Sequence, residues 1–322
     1  LLAGNQVQVT AHDGKVETYQ ATHVILASGS VPVELPMAKF DGKTIVDSWG
    51  ALEFDSVPKR LGVIGAGVIG VELGSVWSRL GSEVVIIEAL DSFLPMVDQQ
   101  IAKSALTQFK KQGLDIRLGA KLAATKLDKK GVTITYNQAG EEKTDQFEKL
   151  IVAVGRKPYT ANVADSALGL AVTERGFIQV DGQYKTNLPN VWAVGDVIGG
   201  AMLAHKGMEE GVTCVEIIHG HKAQLNYDAV PSIIYTSPEL AWVGLSEEQA
   251  KAAGYEVRVG AFPFAASGRA KAMEQAVGMV KIIADAKTDR ILGAHMTGPM
   301  VSELLGELVL AIEFGASSED IA

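Results

Sequence analysis

At 322 residues the chain has room for about two or three domains, and at 47% hydrophobic with 21% charged residues it can bury real cores and is not disordered. A net charge of −9 with Lys and Arg unclustered argues against nucleic acid and anionic membranes as main partners. No apolar run approaches the ~20 residues of a membrane span, no signal-peptide pattern is read, and a single cysteine excludes an internal disulfide framework, so a reducing, cytoplasmic setting is expected.

The chain opens on Leu1-Leu2 and closes on Ser318-Glu319-Asp320-Ile321-Ala322, a pattern like the opening turn of a helix, and both ends read as cuts through a longer protein. Residues 5 to 10 and 16 to 20 alternate like a hairpin around Asp13-Gly14. His23 to Pro32 gives a buried strand ending in small residues, Ala27-Ser28-Gly29, where backbone can come close to a ligand. Pro32 and Pro36 mark a crossing between domains, and residues 43 to 55 form a connector with Asp47-Ser48 as a helix cap.

Residues 60 to 88 carry the strongest signal. Leu61 to Ile64 reads as a buried parallel strand that breaks at Gly65-Ala66-Gly67-Val68-Ile69-Gly70, a full GxGxxG. A helix follows, with Val68, Val71 and Val76 as core candidates, and stops near Gly81; Val84 to Ile87 is a second strand ending on Glu88. Gly65 permits the tight turn, Gly67 lets backbone approach a pyrophosphate, and Gly70 lets the helix lie close on the strand. The free N–H groups of the first helical turn, with the helix dipole, then hold phosphates. Glu88 stands 18 residues after Gly70, where an acid binds the adenosine ribose hydroxyls and repels a 2′-phosphate, so NAD(H) is expected over NADP(H).

After Glu88 a helix is expected from Asp98 to Gln112, stopped by Gly113. Strands at 115–118, 120–127, 132–136 and 143–147 read as an antiparallel meander inserted in the Rossmann-type unit. It closes on Leu150 to Pro158, which repeats the pattern of Val24 to Pro32: three apolar residues, Ala, any, Gly, any, any, Pro. Two dinucleotide-binding domains of one design would explain the repeat, as would chance likeness between buried strands. Val191 to Val194 is another buried strand, ending at Gly195-Asp196, where a carboxylate can hold a polyol or simply make a turn. A helix is expected from Leu203 to His219. Past Tyr227, strands at 232–235, 241–243, 255–263 and 278–284 alternate with helices at 246–253 and 301–314, an α+β third domain.

With these segments in place the chain resembles the pyridine nucleotide–disulfide oxidoreductases. The resemblance rests on Gly-Ala-Gly-Val-Ile-Gly-Val-Glu-Leu-Gly at 65–74, Asn-Val-Trp-Ala-Val-Gly-Asp-Val at 190–197 and Met-Leu-Ala-His-Lys-Gly-Met-Glu-Glu-Gly at 202–211. It continues in the segments at 230–244, 262–270 and 288–299 and covers essentially the whole chain. It implies an α/β fold: a remnant of an FAD domain at 1–32, a Rossmann-type NAD domain with a β-meander at 33–156, a central FAD-domain segment at 157–227, and an α+β dimerisation domain at 228–322. It also implies roles. Ser28, Gly29 and Ser30 would lie along FAD, and Asp196 would bind the ribityl hydroxyls. Met202, Leu203, Ala204 and His205 would bring helix N–H groups to the flavin's pyrimidine edge. Gly65, Ala66, Gly67, Val68, Ile69, Gly70 and Glu88 would hold NAD, with Glu72 near the nicotinamide and Leu122 and Gly155 flanking the cofactor.

The activity implied is oxidation of protein-bound dihydrolipoamide through a redox disulfide and FAD, with hydride passed to NAD⁺. The implied partners are the lipoyl domains of 2-oxo-acid dehydrogenase complexes or the glycine cleavage system and a second copy in a homodimer. The setting is the cytoplasm, or the mitochondrial matrix in a eukaryote. The family's redox cysteine pair and its His–Glu pair are not found among these residues, so no catalytic residue is assigned in the chain and the 322 residues are not expected to be active alone. Cys214 reads as a small buried hydrophobe, His295 as structural, His205 as acting through its backbone, and His219 and His221 as outside any catalytic pair. No metal site is expected. Two alternatives stand beside this reading: a glutathione- or mercuric-reductase type of enzyme, which Glu88 disfavours in its NADPH-linked forms, and a non-catalytic NAD-binding dimerisation module.

Overall fold

A computed structural model describes residues 1–322. The chain divides into two compact units: Pro32–Gly155 with Asn226–Ala322, and Leu1–Val31 with Arg156–Leu225.

The larger unit contains a five-stranded parallel sheet in the order Ile45–Val46, Lys149–Val152, Arg60–Ile64, Glu83–Ile87, Asp115–Arg117. Its inner strands bury Leu61–Ile64, Val84–Ile87 and Leu150–Val152 as continuous runs because both faces are covered, whereas the edge strand Asp115–Arg117 buries only Ile116. On one face the helices Val68–Arg79 and Gln99–Lys111 pack Val71, Trp77, Ile101, Ala105 and Phe109 against Val63, Val84 and Ile86. The first helix lies close: a Cβ on Gly74 would stand 2.9 Å from the Ile86 side chain. The second starts where the Asp98 side chain accepts the Gln100 N–H and buries Ile101, Ala105 and Phe109 at helical spacing. On the other face an antiparallel meander, Ala120–Asp128, Gly131–Gln138 and Glu141–Phe147, buries Leu122, Ile134, Tyr136 and Phe147 with Val85 and Ile87.

Two expectations need correction here. Asp115–Arg117 is not a meander strand; it pairs in parallel with Glu83–Ile87 as the edge of the main sheet. Val76 is not in the core but 46% exposed. The helix buries the face of Gly70, Val71, Gly74 and Trp77, and at 100° per residue position 76 falls well outside that stripe.

The same unit holds a five-stranded antiparallel sheet, ordered Ser232–Ile234, Glu239–Gly244, Ile291–Gly298, Met279–Asp285, Val257–Pro263, with helix Val301–Glu313 packed on it through Leu305, Leu308 and Ile312. This is the expected α+β region with one strand more than the sequence indicated. Ile291–Gly298 is central and nearly buried throughout, so it lacks the period-two pattern that reveals a half-exposed strand.

In the smaller unit Val24–Leu26 pairs in parallel with Val191–Ala193, and Val24, Leu26, Val191 and Ala193 share a cluster with Ile178 and Val197. The strand expected to be wholly buried has one face open, with Ile25 37% exposed. The hairpin Gln6–Thr10 with Val16–Gln20 forms in register as expected. The unit's one long helix is Ala204–Ile218. The whole is a Rossmann-type α/β fold with an inserted meander and an α+β region. No helix is long and apolar enough to cross a membrane.

Candidate functional site

In the larger unit the glycine turn follows directly from strand Arg60–Ile64. Gly65 adopts φ +102°, and a Cβ there would sit 2.5 Å from the Ala153 carbonyl oxygen, so no other residue fits. A Cβ on Gly70 would fall 2.0 Å from the Gly65 oxygen. Both glycines are therefore required by the protein's own packing. Gly67 differs: no atom lies within 4 Å of the position its Cβ would take. The space in front of it is open, a cradle that a side chain would fill and that a pyrophosphate fits. Gly67 caps helix Val68–Arg79 with no side-chain hydrogen bond, leaving the first-turn amides, Val68 and Ile69 included, without a side-chain acceptor.

Glu88 ends strand Glu83–Ile87 and turns back onto the glycine turn. One carboxylate oxygen accepts the Ala66 N–H at 2.8 Å and the other accepts the Leu90 N–H at 2.8 Å. The structure thus brings residues 65–70 and Glu88 together. Glu72, one turn into the helix, accepts the Tyr235 N–H at 2.8 Å, and burial raises its carboxyl above the ordinary range. Gly155, at φ +121°, has open space at its Cβ position, and its carbonyl accepts the Val33 N–H. Leu122 is 7% exposed, its side chain spent on the core under the meander.

In the smaller unit the expected residues converge on another strand end. Ser28 donates its hydroxyl to the Tyr159 carbonyl at 2.6 Å, and the Gly29 carbonyl, at φ +72°, accepts the Tyr159 N–H. Ser30 donates its hydroxyl to the Asp196 carboxylate at 2.5 Å. Asp196 lies on the tight turn Gly195–Ile198 that ends strand Val191–Ala193. Met202 and Leu203 lead into helix Ala204–Ile218, whose first turn, with Ala204 and His205, has no side-chain cap. The helix leans on the Asp196 turn: a Cβ on Gly207 would stand 3.2 Å from the Gly195 Cα.

Three residues without a role in the sequence reading join this arrangement. Arg156 donates Nε to the Ser30 hydroxyl at 2.7 Å and a terminal nitrogen to the Ser30 carbonyl at 2.6 Å. Lys206 and Glu210 form a buried ion pair in the first turns of the helix. The repeat at 150–158 contained Arg156, and Lys206 and Glu210 stand one helical turn apart, which were the signals available.

The remaining candidates behave as inert groups. Cys214 is buried and its thiol is pushed up by burial, the reverse of an activated nucleophile. His295 is fully buried on strand Ile291–Gly298, its Nδ1 accepts the Asp98 N–H at 3.3 Å, and burial lowers its imidazole to about 4. No group of His, Cys, Asp and Glu is arranged to hold a metal ion.

A parallel sheet with a glycine turn and a strand-end acid beside it defines a Rossmann-type dinucleotide-binding fold. Residues 2–211 match the pyridine nucleotide-disulphide oxidoreductase family, and residues 230–322 match that family's dimerisation domain. The chain belongs to the pyridine nucleotide-disulphide oxidoreductases. It is 50% identical over 319 residues to a dihydrolipoyl dehydrogenase of Cupriavidus necator, covering 99% of this chain and 66% of that protein. It is 44% identical to dihydrolipoyl dehydrogenase 3 of Pseudomonas aeruginosa (98% and 68%) and 45% identical to the human mitochondrial dihydrolipoyl dehydrogenase (99% and 63%). The chain thus spans about two thirds of the length of these relatives. Among solved structures, LpdA of Mycobacterium tuberculosis superposes with a TM-score of 0.89 at 26% identity, covering 97% of this chain and 68% of that one. The flavoprotein disulfide reductase RclA of Escherichia coli superposes with a TM-score of 0.86 at 30% identity, covering 98% and 71%.

Proposed function

We propose that the chain carries the nucleotide side of an FAD- and NAD-dependent dihydrolipoyl dehydrogenase. The observation that carries this reading is 44–50% identity, along nearly the whole chain, to proteins of that name. In that reading Ser28 to Ser30 would hold FAD, Asp196 its ribityl hydroxyls and the first turn of helix Ala204–Ile218 its pyrimidine edge. The positive end of that helix would stabilise negative charge at the flavin's pyrimidine edge. Gly65 to Gly70 and Glu88 would hold NAD, with Glu72 near the nicotinamide and Leu122 and Gly155 flanking the cofactor. Bound flavin supplies hydride chemistry between a dithiol and NAD⁺. These residues bind and orient it, and the one cysteine among them, buried Cys214, does not supply thiol chemistry.

The substrate is dihydrolipoamide on the lipoyl domains of a 2-oxo-acid dehydrogenase complex or the glycine cleavage system. The working protein is a homodimer through residues 228–322, in the cytoplasm or a mitochondrial matrix. Glu88 favours this over a glutathione- or mercuric-reductase activity, because its carboxylate repels the 2′-phosphate of NADPH. The test is steady-state turnover of the full-length protein with dihydrolipoamide and NAD⁺, beside glutathione disulfide with NADPH. Turnover only of the second pair overturns the assignment. Turnover of the first by residues 1–322 alone overturns the division of labour.

A further inference from the structure

The buried pair Lys206–Glu210 is in the wrong order for its helix. Leu203 caps helix Ala204–Ile218, so Lys206 is its third residue. A cation in the first turn opposes the helix dipole, and a Lys one turn ahead of a Glu is the less favourable of the two orders. Both side chains are also out of water, at 2% and 0% exposure, where an ion pair barely recovers its desolvation cost. Helix stability therefore does not explain the pair.

What it touches does. The Lys206 ammonium lies 2.8 Å from one Glu210 oxygen and donates to the Gly199 carbonyl at 2.9 Å. The other Glu210 oxygen accepts the Gly195 N–H at 2.7 Å. Gly195 and Gly199 are the two ends of the turn that carries Asp196, and both have positive φ, +78° and +90°. Glycine at both ends leaves that turn many conformations. The pair grips each end, with the acceptor on Gly195 and the donor on Gly199, and both grips come from the helix that packs its Gly207 against Gly195.

We propose that Lys206 and Glu210 are positioning residues for flavin: they fix the 195–199 turn so that Asp196 and the helix N-terminus meet one FAD molecule together. This rests on the reading that FAD binds at this turn. The bracket depends on direction, since Glu210 must accept and Lys206 must donate. Exchanging the two residues, Lys206→Glu with Glu210→Lys, keeps an ion pair and gives the helix its preferred order. It places an acceptor against a carbonyl and a donor against an N–H.

The experiment uses the full-length protein stripped of flavin, with thermal midpoint and FAD dissociation constant measured for the parent, the exchanged variant, Lys206→Met and Lys206→Arg. The exchanged variant should stay folded with a lowered midpoint, since a carboxylate then meets the Gly199 carbonyl and an ammonium the Gly195 N–H, and should bind FAD roughly ten- to a hundredfold more weakly. Lys206→Met should weaken FAD in the same way, and Lys206→Arg, which can still donate, should recover most of the affinity. FAD binding at parental strength by the exchanged variant or by Lys206→Met overturns the proposal. So does loss of folding in both, which would make the pair purely structural. A parent that binds no FAD would instead overturn the flavin reading on which the proposal stands.

Discussion

The carboxylate of Glu88 holds the N–H of Ala66 at 2.8 Å. The acid at the end of one strand is thereby fixed to the glycine turn at the end of the next. The second oxygen is fixed too, on Leu90 N–H, so backbone amides hold both oxygens of the carboxylate. A short parallel register, Ile64 beside Ile87, places both strand ends at one level, and the acid follows.

Replacing Glu88 with Ala therefore acts on both turn and selectivity. The variant should bind NADH about tenfold or more weakly, since a charge-assisted hydrogen bond is lost, while NADPH binding should hold or improve. Titration of the full-length protein with each nucleotide measures the ratio. An unchanged preference would remove Glu88 from nucleotide selection.

The three turn glycines separate packing from ligand space. Gly70→Ala forces a methyl against the Gly65 oxygen and should destabilise the larger unit by about 1–3 kcal/mol. Gly67→Ala meets nothing within 4 Å and should leave the denaturation midpoint nearly unchanged while weakening NAD binding. Equal effects on stability from the two substitutions would refute this division.

The sequence made the Rossmann-type unit legible because its signals are local. Gly65 to Gly70, the Asp98 cap and the stop at Gly113 are each read from a few neighbouring residues, and Glu88 from its spacing after Gly70 although it acts on Ala66. What it concealed depends on distant partners. Asp115–Arg117 looks like any short strand until Glu83–Ile87 selects its direction. Ile291–Gly298 is buried on both faces and shows no alternation. Ser30 and Asp196 could each be read as polar residues after a strand, but not as partners 166 positions apart, nor could Arg156 be read as the group behind Ser30.

That relay gives a further prediction. Ser30 accepts from Arg156 and donates to Asp196, so its hydroxyl sets the rotamer of the carboxylate. Ser30→Ala should weaken FAD binding several-fold and cost about 1 kcal/mol of stability, the worth of a typical hydrogen bond. Arg156→Met should act in the same direction, and the double variant should add little, because both break one chain of contacts. Strict additivity in FAD affinity would show that the two residues act separately.

The buried charges around His295 set an acid limit in two steps. His295 faces the Asp98 backbone through Nδ1, with Lys281, Asp98 and Glu248 as its charged neighbours. Burial lowers it from 6.5 to about 4. Lys281 in turn bridges Asp98 at 2.8 Å and Glu247 at 2.6 Å. Hydrogen bonds from Lys251 and Lys281 hold Glu247 down, from 4.5 to about 2. Both groups bind protons more weakly folded than unfolded, so both favour folding at high pH and lose that contribution as pH falls. For His295 the loss runs from about pH 6.5 down to about 4, because the unfolded chain protonates first. For Glu247 it runs from about 4.5 down to about 2. Urea midpoints of the full-length protein should therefore be flat from pH 8 to 7, fall gently below 6.5 and fall further below 4.5. His295→Asn, whose side-chain oxygen can still accept the Asp98 N–H, should remove the first decline, worth on the order of 2 kcal/mol, and leave the second. Persistence of the decline between pH 6.5 and 4.5 in that variant would place its origin elsewhere than His295.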